Sequence, residues 1–381
     1  MSSSGAVVVQ GRLVLADRIL PGRAVIQGDR IVGVEPDAAA ADGPFIAPGF
    51  VDVHVHGWAG HDAMGGTTAL SGMAQGLLAH GVTSFLPTGI TAPQGALEAF
   101  AESVRAWMPE APGDGSEPLG FNLEGPWVAP AKKGAHNPAY LRDPGDMTEE
   151  ELAPLLVGLR ITTIAPELPG ALELIARLRD LGVITSIGHS AATLEEAIAG
   201  YAAGGERVTT THLFNAMSGV DHRAPGLAVV ALTLDAAFTE LIADGNHVHP
   251  SLWPIIVRSK PADRLVLVSD ALYVAGMGDR RTTIGGLDIE IRDGRCTLVV
   301  GGNLAGAVVA VDTGVRNLVR SGVPLTRAVR AASTNPAALL GASDRGSIAA
   351  GLRADLVELD DDLVVRRVMR SGTWHAAAPS S

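Results

Sequence analysis

From residue 49 to residue 271 the chain alternates short, almost wholly apolar runs with longer mixed ones. The short runs are GFVDVHVH (49–56), VTSFLPT (82–88), LGFNLEG (119–125), ITTIAPE (161–167), VITSIGHS (183–190), RVTTTHLF (207–214), FTELIADG (238–245) and RLVLVSDA (264–271). Their length and β-branched content predict eight strands, apolar on both faces as buried parallel strands are. The intervening runs predict helices at 94–108, at 170–181 with a stop at Gly182, and at 193–203 between Thr193 and Gly204. Eight strand–helix units predict an α/β fold with a closed (β/α)8, TIM-like barrel over residues 50–344. An open doubly wound sheet would share the same alternation.

The two ends have another texture. Residues 6–48 and 346–372 carry short apolar runs broken by glycine and acidic turns, which predict strands of an antiparallel kind. Two such ends flanking one barrel most simply pair with each other, so residues 1–49 and 345–381 are expected to form a small β-sandwich domain. The stretch 282–300, TTIGGLDIEIRDGRCTLVV, predicts a hairpin turning at Asp293-Gly294. No longer repeat is visible, and GDGSEP (113–118) is a surface loop.

Composition narrows the class. Apolar residues are 47% of the chain and charged ones 18%, as in a globular protein with a large core. A single cysteine, Cys296, allows no internal disulfide, and the first residues lack the basic-then-apolar pattern of a secretion signal, so the expected location is cytoplasmic. No stretch is long and apolar enough for a membrane span. A net charge of −12 argues against nucleic acid and acidic membranes as partners, while leaving room for a small anion held by local donors.

The chemistry collects at strand ends. His54 and His56 stand two apart, so on a strand both imidazoles project from one face, with Asp52 on the same side. Further on, Glu124, His189, His212 and Asp270 occupy the C-terminal ends of the third, fifth, sixth and eighth runs, where barrel enzymes carry their active sites. Imidazoles and carboxylates without thiolates suit a divalent metal, with zinc foremost and iron, manganese or cobalt as alternatives, one or two per subunit. Asp270 is placed to move a proton to and from water, or else to serve as a further ligand or a helix N-cap. His61, His80, His222, His249 and His375 lie outside this pattern and read as structural. Trp58 and Trp127 flank the expected mouth, to stack on a ligand or to pack.

At this point the motifs resemble a known family. PGFVDVHVHG resembles the opening of the amidohydrolase superfamily barrel, and LEGPW, KKGAHNP, GHSAA, THLFNAM, HRAPGL, ADGNHV, SDA and LAGA, in that order, resemble the N-acetylglucosamine-6-phosphate deacetylase family. The resemblance implies that Glu124, His189 and His212 hold the principal metal, and that His54, His56 and a shared Asp270 offer a second site. It implies substrate contacts from His136, Asn215, Ala216, Arg223, His247 and Leu304, with Arg223 or His247 reaching across a homodimer interface. Lys132 and Lys133 are either solvated or ligand contacts. The expected reaction is hydrolysis of the acetamide of N-acetylglucosamine 6-phosphate to glucosamine 6-phosphate and acetate, in amino-sugar catabolism or cell-wall recycling. Asp270 would shuttle the proton and His136 would polarise the acetyl carbonyl. SDA replaces the more usual TDA, and VDT follows LAGA, with no functional group lost. A cyclic-amide hydrolase or nucleobase deaminase on the same barrel would not need the phosphate contacts, and a non-catalytic scaffold would not need the ligands.

Overall fold

All eight expected strands form in the computed structural model, which describes residues 6–378. They are β1 (Phe50–Val55), β2 (Val82–Ile90), β3 (Phe121–Glu124), β4 (Leu159–Ile164), β5 (Ile184–Ile187), β6 (Val208–Thr210), β7 (Thr239–Leu241) and β8 (Leu265–Leu267). Strands β1 to β6 pair in parallel in sequence order, and β7 pairs with β8. Backbone bonds from Phe238 N to Val208 O (3.0 Å) and from Leu213 N to Glu240 O (2.9 Å) carry β6 on to β7. The bond from Asp270 N to His54 O, 2.9 Å, returns the end of β8 to β1. That return distinguishes a TIM-like ring from an open sheet.

The helices follow their caps. They span Gln94–Trp107, Ala171–Asp180 and Leu194–Gly204. Thr193 and Glu196 satisfy each other's backbone N–H groups in a capping box. The expected stop at Gly204 falls one residue later, because Gly204 stays helical and Gly205 takes the left-handed φ of +72° that ends the helix.

Both chain ends contribute to one seven-stranded sheet, ordered Thr373–Ala376, Val365–Arg370, Leu356–Leu359, Phe45–Pro48, Val7–Val14, Ile19–Gln27 and Arg30–Pro36. The N- and C-terminal parts meet where Leu356 pairs with Pro48 and Leu359 with Phe45. Period-two alternation splits its faces. Ile46 and Leu356 enter a separate apolar cluster with Leu13, Ile26 and Met369, whereas Ala47 and Val357 join the large core around the barrel.

The hairpin expected at 282–300 is a three-stranded antiparallel sheet of Arg280–Ile284, Leu287–Arg292 and Arg295–Leu298. Its turn does lie at Asp293-Gly294, both left-handed (φ +51° and +72°), which matches the right-handed twist of the strands. Ile284, Ile289 and Ile291 pack on Leu272, Val274 and Ala305, and Asn137 Nδ2 donates to Gly285 O (3.2 Å). The sheet thereby sits over the C-terminal end of the barrel.

Candidate active site

The proposed ligands sit at or just beyond the C-terminal ends of their strands, and at three of them the chain turns sharply. His189, His212 and Asp270 have φ of +47°, +26° and +50°, a left-handed backbone that side-chain-bearing residues rarely adopt. Such strain is tolerated where surrounding structure holds it, and here it turns three side chains from different strands toward one point.

At that point Glu124 is central. Its Oε1 lies 3.0 Å from His189 Nε2, 2.8 Å from His212 Nε2 and 3.6 Å from His54 Nε2. Its Oε2 lies 3.3 Å from both His56 Nε2 and His136 Nε2. Asp270 Oδ1 completes the other side, 3.5 Å from His54 Nε2 and 3.3 Å from His56 Nε2. The donors form two overlapping groups, His54–His56–Glu124–Asp270 and Glu124–His189–His212, all buried.

The ring nitrogens facing inward are lone pairs. His54 Nδ1 donates to Glu240 Oε2 (3.1 Å), His56 Nδ1 to Thr88 O (3.1 Å) and His189 Nδ1 to Lys132 O (2.8 Å). With those protons spent outward, the Nε2 atoms of His54, His56 and His189 are acceptors, yet those of His54 and His56 are 3.3 Å apart and that of His189 stands 3.0 Å from His212 Nε2. Converging buried lone pairs repel unless a cation lies between them. Tetrahedral ligands at ordinary zinc bond lengths stand about 3.3 Å from one another, so the donor set fits a divalent metal.

Electrostatics within the cluster follow from the same crowding. Burial works against the charged form of Glu124, yet the imidazoles of His136, His189 and His54 hold its carboxyl well below the usual range. Asp270 is likewise held low against burial, by the neighbouring imidazoles of His56 and His54. Burial, seconded by His189, pushes His136 down to about 4. The ring is neutral at ordinary pH. Thr91 Oγ1 lies 2.6 Å from its Nδ1, and with that hydroxyl donating, the ring proton sits on Nε2.

Above the cluster opens a cavity of about 360 Å³, a size suited to a small ligand. Glu124, His136, His189, His212 and Asp270 line it, together with Asn215, Ala216, His247 and Leu304. His56 and Lys132 reach it too, whereas His54 is wholly buried behind. Arg223 stays outside, exposed, with its backbone N–H bonded to Asp221. His247 faces the cavity with its Nδ1 on Asp244 Oδ2 (2.8 Å); burial opposes its charge, but that carboxylate raises its pKa above the ordinary value.

Several expectations need correction. Asp52 shares the inward face of β1 but lies one layer deeper, where Oδ2 accepts from Ser269 Oγ (2.5 Å) and Oδ1 from His54 N (3.2 Å). Burial pushes its carboxyl up to about 7. The serine of SDA is therefore an anchor beneath the site. Asp270 is no helix N-cap, since the next helix is Val311–Arg320. Trp58 and Trp127 are both buried and outside the cavity; Trp58 packs edge-on against His80.

Glu240 escaped the reading of the sequence. Fully buried, it accepts from His54 Nδ1 and, at 3.2 Å, from His212 N, so it orients both ligand groups. The visible signal was an acid inside the apolar run FTELIADG. Removing its charge in Glu240→Gln is expected to weaken metal affinity by about 10- to 100-fold, the usual cost of losing a partner behind a ligating histidine. Competition with a chelator measures it, and unchanged affinity would show that Glu240 merely fills space.

The comparisons with known proteins agree with this geometry. The amidohydrolase family profile matches residues 45–375. The N-acetylgalactosamine-6-phosphate deacetylase of Escherichia coli O157:H7 is 37% identical over 352 residues, covering 90% of this chain and 91% of its own. The N-acetylglucosamine-6-phosphate deacetylase of Bos taurus is 38% identical over 389 residues, covering 97% and 92%. Among solved structures, that enzyme from Thermotoga maritima superposes with a TM-score of 0.89 at 34% identity, over 97% of this chain and 99% of the other. A mutant of the Mycobacterium smegmatis enzyme in complex with N-acetyl-D-glucosamine-6-phosphate gives 0.86 at 35%, again over 97% and 99%. Ring, ligand cluster and match along most of its length thus agree that the chain belongs to the amidohydrolase family.

Proposed function

We propose that the protein is a metal-dependent deacetylase that hydrolyses the acetamide of N-acetylglucosamine 6-phosphate. The observation that carries this reading is one cavity that joins the Glu124 cluster and His136 to Asn215, Ala216 and His247. The backbone N–H of Ala216 has no acceptor among the described residues, and His247, lining the same cavity with its pKa raised by Asp244, suits a phosphate dianion. Relatives so named in bacteria and animals support the substrate class.

Glu124, His189 and His212 would hold the principal metal, and His54, His56 and Asp270 a second, with zinc favoured by the nitrogen-rich donor set. A divalent metal held there supplies Lewis acidity, acidifying water and polarising a carbonyl oxygen. Asp270 takes the proton of the attacking water and passes it to the nitrogen as the C–N bond breaks. The neutral His136 donates from Nε2 to the acyl oxygen as negative charge builds on it.

Arg223 belongs to the same reading through a second copy of the chain. Its guanidinium lies off its own cavity, so a homodimer that brings it to the partner's phosphate accounts for its place in the family motif. We also read residues 1–49 and 345–381 as the small sandwich domain and 50–344 as the catalytic barrel, supported by the separate apolar cluster of the terminal sheet. A cytoplasmic location accords with the lone, buried Cys296; no helix of the described residues is long and apolar enough to cross a membrane.

Acetate release from N-acetylglucosamine 6-phosphate, beside the unphosphorylated sugar, tests the reading. Turnover is expected with the phosphorylated sugar, and Arg223→Ala is expected to raise KM by about 10-fold or more, the loss of a charge-assisted contact of roughly 1.5–3 kcal/mol. Equal rates on both sugars, or no effect of Arg223→Ala, would break the phosphate assignment. The similarity to the Escherichia coli galactosamine enzyme makes the 4-epimer the second substrate to assay.

A further inference from the structure

A second cavity, of about 440 Å³, adjoins the active site and shares His56, Ile90 and Ile284 with it. Gly285 of the roof sheet, bonded to Asn137, lines this second cavity. Its position in the ring is informative. The phosphate contacts Asn215, Ala216 and His247 follow β6 and β7, whereas this cavity is walled mainly by the segments after β1 and β2, two to four strands further round the eight-strand ring. It therefore lies on another side of the ligand cluster, with His56 lining both cavities.

A substrate gripped by its phosphate with its amide carbon at the cluster directs its acyl chain away from the sugar, toward this side. The walls there are apolar, contributed by Met64, Ile90, Ala92 and Ile284. Several polar groups among them are already bonded. Thr88 Oγ1 donates to Leu86 O and accepts from Val55 N, Thr91 Oγ1 bonds His136, and Asp62 Oδ1 accepts from Met64 N. An apolar chain entering would leave those bonds intact and gain from burial against the apolar walls.

We propose that this second cavity is the acyl subsite of the reaction, and that the enzyme hydrolyses N-propionyl and N-butyryl hexosamine 6-phosphates as well as the acetyl compound. The inference rests on the deacetylase reading. The chemistry is unchanged: water adds its oxygen to the acyl carbon, the C–N bond breaks, the nitrogen takes the proton, and a three- or four-carbon carboxylate leaves in place of acetate.

The test compares kcat/KM for the acetyl, propionyl and butyryl compounds in the metal-loaded wild type and in two variants. Wild type is expected to cleave the butyryl compound within about tenfold of the acetyl one. Ala92→Phe, which fills the cavity, is expected to lower the butyryl-to-acetyl ratio at least tenfold, the order of discrimination that a methylene or two of lost space produces. Met64→Ala, which widens the cavity and keeps the test open if Ala92→Phe fails to fold, is expected to raise the ratio. Cleavage of the acetyl compound with butyryl activity more than a thousandfold lower would overturn the subsite alone, as would ratios that neither variant moves. Failure on the acetyl compound itself would overturn the deacetylase reading and the subsite with it.

Discussion

Asp270→Asn is expected to lose turnover by about a thousandfold while its principal metal stays bound. General acid–base catalysis contributes on the order of 10²–10⁴ in rate, and asparagine keeps the shape of the side chain while abolishing its proton affinity. The metal should remain because Glu124, His189 and His212 make a complete group without Asp270. Geometry also separates the two jobs. Asp270 Oδ1 stands on the side of His54 and His56, at 3.5 and 3.3 Å, and the residue lines the cavity where water and substrate meet. Acetate release and metal analysis on the same sample decide the matter. Near-normal turnover would remove Asp270 from the proton transfer, and loss of all metal would make it principally a ligand.

Glu124→Gln is expected to empty both groups at once. Its two oxygens meet five imidazoles, and no other described carboxylate reaches the inward-facing Nε2 atoms of both His54–His56 and His189–His212. An amide has one acceptor oxygen and no charge, so a dication would face imidazoles alone on one side and a single remaining carboxylate, Asp270, on the other. Metal content should fall to less than about a tenth of the wild type, and activity with it. Stability reads the same loss independently. A ligand at 100 times its Kd stabilises the folded state by about 2.7 kcal/mol, so zinc should raise the Tm of wild type and leave that of the variant unmoved. A variant that still gains Tm with zinc would show that the histidines suffice.

How much of this was legible in the sequence differs from residue to residue. Strands surfaced as apolar runs because parallel strands are buried on both faces, and His54 and His56 fell on one side because the strand period is two. Those are local properties. Asp52, two residues back, shares that face by the same logic, and only the tertiary structure shows that its carboxylate accepts from Ser269. Glu240 was invisible for the complementary reason. Its function depends on His54, 186 residues away, and on the backbone of His212, 28 away.

By itself, then, the sequence determined the alternation of strands and helices, the capping of helices such as Leu194–Gly204, the Asp293-Gly294 turn and the placement of ionisable side chains at strand ends. Each depends on contacts within a few residues, where backbone geometry leaves few choices. Tertiary structure alone decided that Glu124 stands between two ligand groups, that Trp58 and Trp127 belong to the core, that Arg223 lies off its own cavity, and that the sheet after β8 roofs the site. The physical reason is distance along the chain. Glu124 and His212 are 88 residues apart, and their 2.8 Å approach exists only because eight strands close into a ring.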